Sequence, residues 1–309
     1  MTVGEAMQLY LELQLAGRPS LRTIRQASRQ HVSCWFNRQI ASLTRLELLQ
    51  WRAAMKDTPT HANTAIKALK CAVAFVVREG LYAGANTVVF LKRYTRPSRS
   101  RFCQPHEAPA VMRAILQAPP KVKAFILLVG CTSSRPGEVC RMRWADLGVW
   151  PINGRDMFVW KKGKTKNGSD DYKPIPHQVW ECLVELPALS EWVFPGKNPA
   201  QPWAASSYRK AWAKVRLFAG VPDLWVYDLR RTVASWLSIH GENLQTVQHV
   251  LNHSSLQSTA VYARLNLQTV AGALQRHTDR LFECGERKSH VPLNTPPVPG
   301  GPHPVPRVQ

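Results

Sequence analysis

In HVLNHSSLQSTAVYARL, the stretch from His249 to Leu265, Tyr262 lies nine residues after His253. The same stretch also reads as helical turns packed on aliphatic side chains. A phenol is an uncommon nucleophile, because its reference pKa is about 10. To attack a phosphodiester it needs cations against the non-bridging oxygens, a proton acceptor for itself and an acid for the departing sugar oxygen. Cationic residues drawn from distant segments are therefore the ones to seek.

GCTSSRPGEVCRMRW supplies Arg135 just ahead of Pro136, a residue suited to the first position of a helix, and Glu138 follows where it can brace the guanidinium. In isolation this pair is also an ordinary ion pair at a helix start. VYDLRRTVASWL supplies Arg230 at the beginning of an apolar helix, with Asp228 suited to capping that helix or orienting a cation. Adjacent Arg231 points elsewhere on a helix, so one of the two arginines enters a compact site. KKGKTKNGSDDYKPIP supplies lysines near a hairpin tip. Lys166 is the preferred proton donor and Lys164 the alternative, against the background that loops commonly carry solvated lysines.

Elements must hold these groups in place. Thr2 and Glu5 fit a reciprocal helix cap, and Val3, Ala6, Met7, Tyr10 and Leu11 recur with helical spacing. Similar patterns over residues 21–38, 43–56 and 61–80 predict a domain of about four helices across 1–90. No acidic residue occurs between Glu79 and Glu107, while LKRYTRPSRSR brings Lys92, Arg93, Arg96, Arg99 and Arg101 together. Its Pro, Ser and charge content predicts a solvated linker over 91–103, either a plain hinge or a cationic strap along a polyphosphate backbone. A second domain spans 104–286. It opens with helices in QPHEAPAVMRAILQAPP and KVKAFILLVGC, continues through strands near 145–149, 156–160 and 172–176, and returns to helices at 206–219, 228–240, 243–252, 255–263 and 266–280. The fold class expected is multidomain and mainly α, with an α+β second domain holding a small antiparallel sheet. Residues 287–309, with seven prolines, predict a flexible tail.

Composition points to the partner. Across 309 residues, 41 Lys plus Arg against 20 Asp plus Glu leave a formal charge of +21, which favours nucleic acid first and an anionic membrane surface second. The basic run Arg209, Lys210, Lys214 and Arg216 on the helix at 206–219 fits duplex contact, with membrane contact its competitor. The seven cysteines show no metal-ligand pairing, and His31, His61, His106, His177, His240 and His249 form no zinc signature, so no metal and no cofactor is expected. The start lacks a basic region before an apolar run, and no run approaches membrane-span length, so a cytoplasmic setting in a bacterium, or otherwise a nuclear one, is expected.

Taken in order, these fragments resemble the tyrosine recombinase, or phage-type integrase, family over nearly the whole chain. CTSSRPGE is similar to that family's TGxRxxE segment, YDLR to its HxLR segment, LNH to its LGH motif, and Thr259 to Tyr262 to its terminal TxxY. The intervals of 23 residues from Arg230 to His253 and nine from His253 to Tyr262 match the family pattern. The resemblance implies a helical, SAM-like core-binding domain at 1–90 and a recombinase catalytic domain at 104–286, closing on DNA like a clamp, in the two-domain layout of simple recombinases. It assigns Tyr262 as nucleophile, Arg135 and Arg230 as the phosphate clamp, His253 as a hydrogen-bonding partner of the phosphate or an aid to proton transfer, and Lys166 as general acid. Glu138 and Asp228 become supporting carboxylates. Tyr227 stands where the family usually has histidine; a phenol donates to phosphate but shuttles protons less well near neutral pH. The implied partners are duplex attachment sites, a second copy on each site, four copies in the synapse and, in some systems, a DNA-bending accessory protein. Competing readings are a type IB-like topoisomerase and a DNA-binding protein weakened at Tyr227.

Overall fold

Thr2 and Glu5 form the reciprocal cap: the Glu5 amide donates to the threonine hydroxyl at 3.2 Å, and the Glu5 carboxylate accepts the Thr2 amide at 2.8 Å. That cap starts α1 (Val3–Leu9), which widens into a π turn over Tyr10–Gln14. In the computed structural model, residues 1–97, 99–152, 154–164, 170–252, 255–265 and 267–286 are described. They fall into two units, Met1–Arg99 and Ser100–Gln309.

The first unit continues with α2 (Leu21–Ala27), α3 (Arg45–Ala53) and α4 (Pro59–Arg78). Thr44 and Glu47 repeat the capping device at α3, where hydrogen bonds from Thr44 and then Arg38 hold the Glu47 carboxyl down to about 2. On α4 the small residues Ala62, Ala65, Ala68 and Ala72 are fully buried among Ile66, Leu69 and Val73. Small side chains let the packed helices approach closely, so the core forms around this one helix.

The stretch read as a solvated linker differs from that reading at both ends. Leu91 is in the first unit's core. Asn63 on α4 pairs with both backbone groups of Tyr94, and the Tyr94 phenol donates to the Arg52 carbonyl while the Arg52 guanidinium lies 3.9 Å from the ring centroid. Further on, Arg101 and Cys103 belong to the second unit: the Cys103 amide donates to Thr232 and its thiol is buried. Charge and proline content marked the stretch as polar but could not reveal these distant partners.

The second unit begins with α5 (Ala108–Leu116), α6 (Pro120–Thr132) and the short α7 (Pro136–Val139). Strands β1 (Leu147–Ile152), β2 (Arg155–Lys164) and β3 (Asp170–Ile175) form an antiparallel sheet in the order β1-β2-β3. Then come α8 (His177–Val184), which the sequence reading did not place, α9 (Ala205–Phe218), α10 (Val226–Ile239) and α11 (Leu244–Leu251). Residues 255–263, expected as one helix, form 3-10 turns over Leu256–Ser258 and Ala260–Leu265 before α12 (Leu267–Glu286). The core gathers around the buried middle of α6, Ala124 to Val129, where the Phe125 ring meets Phe194 edge-on at 5.4 Å and stacks on Tyr208 at 5.2 Å. A helical unit followed by an α+β unit with a small antiparallel sheet is thus the architecture. Among the described residues no helix is long and apolar enough to cross a membrane.

Candidate active site

The turn between α6 and α7 sets the first cation. Ser133 takes a left-handed conformation with φ 58°, ending α6 and swinging the chain so that Arg135 becomes the N-cap residue of α7. The Arg135 guanidinium donates to Glu138 at 2.8 Å and is partly open to solvent. Arg230, from the first turns of α10, is buried to 8% exposure and donates to the carbonyls of Ser133 and Leu251. In return the Ser133 hydroxyl donates to the Arg230 carbonyl at 3.3 Å. The α6–α7 turn, α10 and the end of α11 are therefore tied through one side chain. Burial, and next the like charge of Arg135, lower the Arg230 guanidinium to about 10, so it remains cationic near neutral pH.

Two further lysines enter from the sheet. Lys162 on β2 is 7% exposed and bridges Glu138 at 2.8 Å and Asp171 at 3.6 Å. Burial raises the Glu138 carboxyl, but hydrogen bonds from Lys162 and Arg135 outweigh it and leave the group below the ordinary carboxylate value. Lys173 on β3 is buried and donates to the Val250 carbonyl. Its ammonium is lowered to about 8, mainly by burial and then by Lys162 and Arg230. Two cations thus meet the last carbonyls of α11, where the helix dipole is negative. A cavity of about 580 Å³ between β3 and α11 is lined by Thr132, Lys162, Asp171, Lys173 and Asn252.

Tyr262 lies in the 3-10 segment, half-buried against the cluster of Ala234, Val247 and Leu251. Burial raises its phenol above the usual value, while Arg231 and Arg230, both within electrostatic reach, pull it back. Tyr227 is 45% exposed on the first turn of α10, also within reach of Arg230. Asp228 is fully buried; its carboxylate accepts the Trp225 amide at 2.8 Å and pairs with Arg231 at 2.8 Å. It caps α10 and braces Arg231, the arginine expected to face away from the site. Lys164 ends β2 opposite Asp170. His253 and Lys166, together with the 287–309 tail, lie outside the described residues.

Arg135, Glu138, Arg230 and Tyr262 therefore converge from separate segments. Lys162, Lys173, Asp171 and Asn252 join them unforeseen. One signal was legible: along β3, alternate residues Lys173 and Ile175 face inward while Tyr172 and Pro174 are exposed, and a lysine on the core side of a strand needs a partner.

The expected DNA-contacting cations divide. Lys92, Arg93 and Arg96 join Lys67 and Tyr94 along a groove of about 820 Å³ in the first unit, and Arg99 is exposed. On α9, Arg209, Lys210 and Lys214 are exposed opposite buried Tyr208, Trp212 and Val215. Arg216 is a correction: it is half-buried, with Nη1 donating to the Leu224 carbonyl at 3.4 Å, because its position follows the inward face. Arg101 is another. It is held by both oxygens of Glu107 at 2.7 Å and by Asp223 at 2.7 Å, and these carboxylates keep it firmly protonated. Such a clamp commits the charge to the fold. Among the described residues no His, Cys, Asp or Glu group is arranged to hold a metal.

The model of the phage integrase family matches residues 101–269. Tyrosine recombinase XerC of Lactobacillus leichmannii is 21% identical over 248 residues, covering 76% of this chain and 82% of the relative. A lambda integrase (75–356) dimer bound to a COC' core site superposes with a TM-score of 0.67 at 17% identity, covering 85% of this chain and 95% of that one. The Tn1549 transposon integrase in complex with transposon right end DNA gives 0.67 at 16%, covering 88% and 100%. At such identity the solved structures establish the fold alone.

Proposed function

Because the chain belongs to the phage integrase family, we propose that it is a site-specific DNA recombinase working through a transient 3′-phosphotyrosyl link. The observation that carries this reading is the convergence of Arg230 and Tyr262, with Arg135 beside them, from segments far apart in sequence. Tyr262 Oη attacks the scissile phosphorus as the bond to the 5′-oxygen breaks. The phenolic proton leaves toward an acceptor in the site, and Lys166 (or Lys164) protonates the departing 5′-oxygen. Arg135 and Arg230 neutralise the charge that builds on the non-bridging oxygens, where preorganised donors contribute most. His253 hydrogen-bonds the phosphate, and Tyr227 donates from the place the family usually gives to histidine. Strand exchange reverses the step: the partner strand's 5′-hydroxyl attacks phosphorus and tyrosine leaves. Bond energy is conserved and no cofactor enters.

The substrate is duplex DNA. The surplus of 21 positive charges supports it, as do the exposed cations of α9 and of the first unit's groove, which would follow the backbone while base identity is read elsewhere. Homodimers on one site and homotetramers in the synapse are the assembly we propose, by analogy with lambda integrase, solved as a dimer on a core site and as a tetramer bound to a Holliday junction. Mobile-element or phage integration and excision is the corresponding setting. The test uses a library of nicked duplexes with randomised palindromic cores, captured through a covalent protein adduct. The chain should accumulate adduct and Tyr262→Phe should bind DNA within about threefold of the parent while forming none. Equal adduct from both proteins would overturn the assignment.

A further inference from the structure

Asn252 occupies a backbone conformation that favours glycine. It caps α11 with φ 48° and ψ 53°, and the resembled LGH motif has glycine at this point. Asparagine tolerates the left-handed region better than most residues, but here it also has a side chain to use. Its amide Nδ2 donates to Asp171 Oδ2 at 2.6 Å, across 81 residues of sequence. The same Asp171 oxygen faces Lys162 at 3.6 Å, and Lys162 reaches Glu138 at 2.8 Å, which in turn holds Arg135 at 2.8 Å. An unbroken run of polar contacts therefore links the cap of α11 to the α7 arginine by way of β3 and β2.

We propose that Asn252 is a positioning residue: its side chain ties the end of α11 to β3 through Asp171, so that the sheet, Arg135 and the chain leaving α11 are held in one arrangement. The inference rests on the recombinase reading for its consequence in catalysis, and on geometry alone for the tether. A glycine would satisfy the backbone and remove the bond to Asp171, while Lys173 would still donate to the Val250 carbonyl. Lys173 supplies a contact to main chain; Asn252 adds the one that is coupled to the ion pairs. Lys162, nearly inaccessible, needs both carboxylates to offset the loss of water around its charge. Fixing Asp171 from the α11 side keeps the second of those partners in place.

The test is a swap of the two side chains in the full chain. Asn252→Asp alone sets two carboxylates against each other; Asn252→Asp with Asp171→Asn restores a donor and an acceptor and leaves net charge unchanged. Amide hydrogen exchange without DNA reads the tether directly. N252D should speed exchange in the last turn of α11 by about tenfold, the size expected from losing one charge-assisted hydrogen bond, without speeding the α4 core of the first unit. The swapped protein should recover at least half of that protection on α11, because the bond across to β3 is remade while Lys162 keeps only the Glu138 carboxylate. On the captured nicked duplexes, N252D should cut single-turnover adduct formation by a similar factor with unchanged DNA affinity, and the swap should recover part of it. Parental exchange in N252D, or a loss that the swap fails to correct, overturns the tether. A parental protein that forms no adduct overturns the recombinase reading instead, and exchange then decides the tether by itself. Slow cleavage in N252D with parental exchange would also count against the proposal.

Discussion

Lys173 gives a stability that should depend on pH in a direction opposite to most surface lysines. Its side chain is 8% exposed, and burial followed by Lys162 and Arg230 lowers the ammonium from 10.5 to about 8. A lysine with a lowered folded pKa binds its proton more weakly in the native than in the unfolded chain. Between about pH 8 and 10.5 the unfolded state therefore holds more protons, and stability rises with pH. Below pH 8 both states are charged and the native fold carries the full cost of the buried cation. Working through the linkage, the gain from pH 7 to pH 9.5 is about 2 kcal/mol. Lys173→Met removes this titration while keeping a long unbranched side chain, and every other group titrates in both proteins. Urea denaturation of the parent and K173M at the two pH values should show the parent gaining about 2 kcal/mol relative to the variant. Parallel pH profiles would refute the buried-ammonium argument.

Further expectations follow from the same geometry. Tyr227→His should retain or increase single-turnover cleavage near neutral pH, since imidazole handles protons better there; a tenfold loss in a folded protein would oppose the role given to this position. Arg101→Ala should destabilise the second unit by about 2 kcal/mol or more in thermal or urea unfolding, because Glu107 and Asp223 lose their shared cation. Arg96→Ala should leave stability within about 0.5 kcal/mol but reduce the slope of log affinity against log salt by about 1, as expected for one lost phosphate contact.

Local rules carried the sequence reading where neighbours decide the structure. The Thr2–Glu5 cap, proline at the start of α7 beside the Arg135–Glu138 pair, and the hairpin of β2 and β3 all involve residues close in the chain. Motif spacing carried the convergence of Arg230 and Tyr262, because a fixed interval encodes a fixed path through the fold. What escaped depends on distant partners. Arg101 and Arg216 looked like free cations until Asp223 and the Leu224 carbonyl appeared beside them. Lys162, Asp171 and Asn252 lie on separate elements, and only packing brings them together. The run before Tyr262 has helical spacing yet forms 3-10 turns, a difference of hydrogen-bond register that periodicity over so few residues does not resolve.

The central claim is that the oxygen of one late tyrosine becomes bonded to DNA phosphorus. Proteolysis of the captured adduct, followed by mass spectrometry of the peptide carrying the nucleotide remnant, tests it most directly. The account predicts a remnant on Tyr262, attached through the 3′-phosphate with a free 5′-hydroxyl on the other fragment. A remnant on Tyr227 or any other residue, or a 5′-linked adduct, would contradict it.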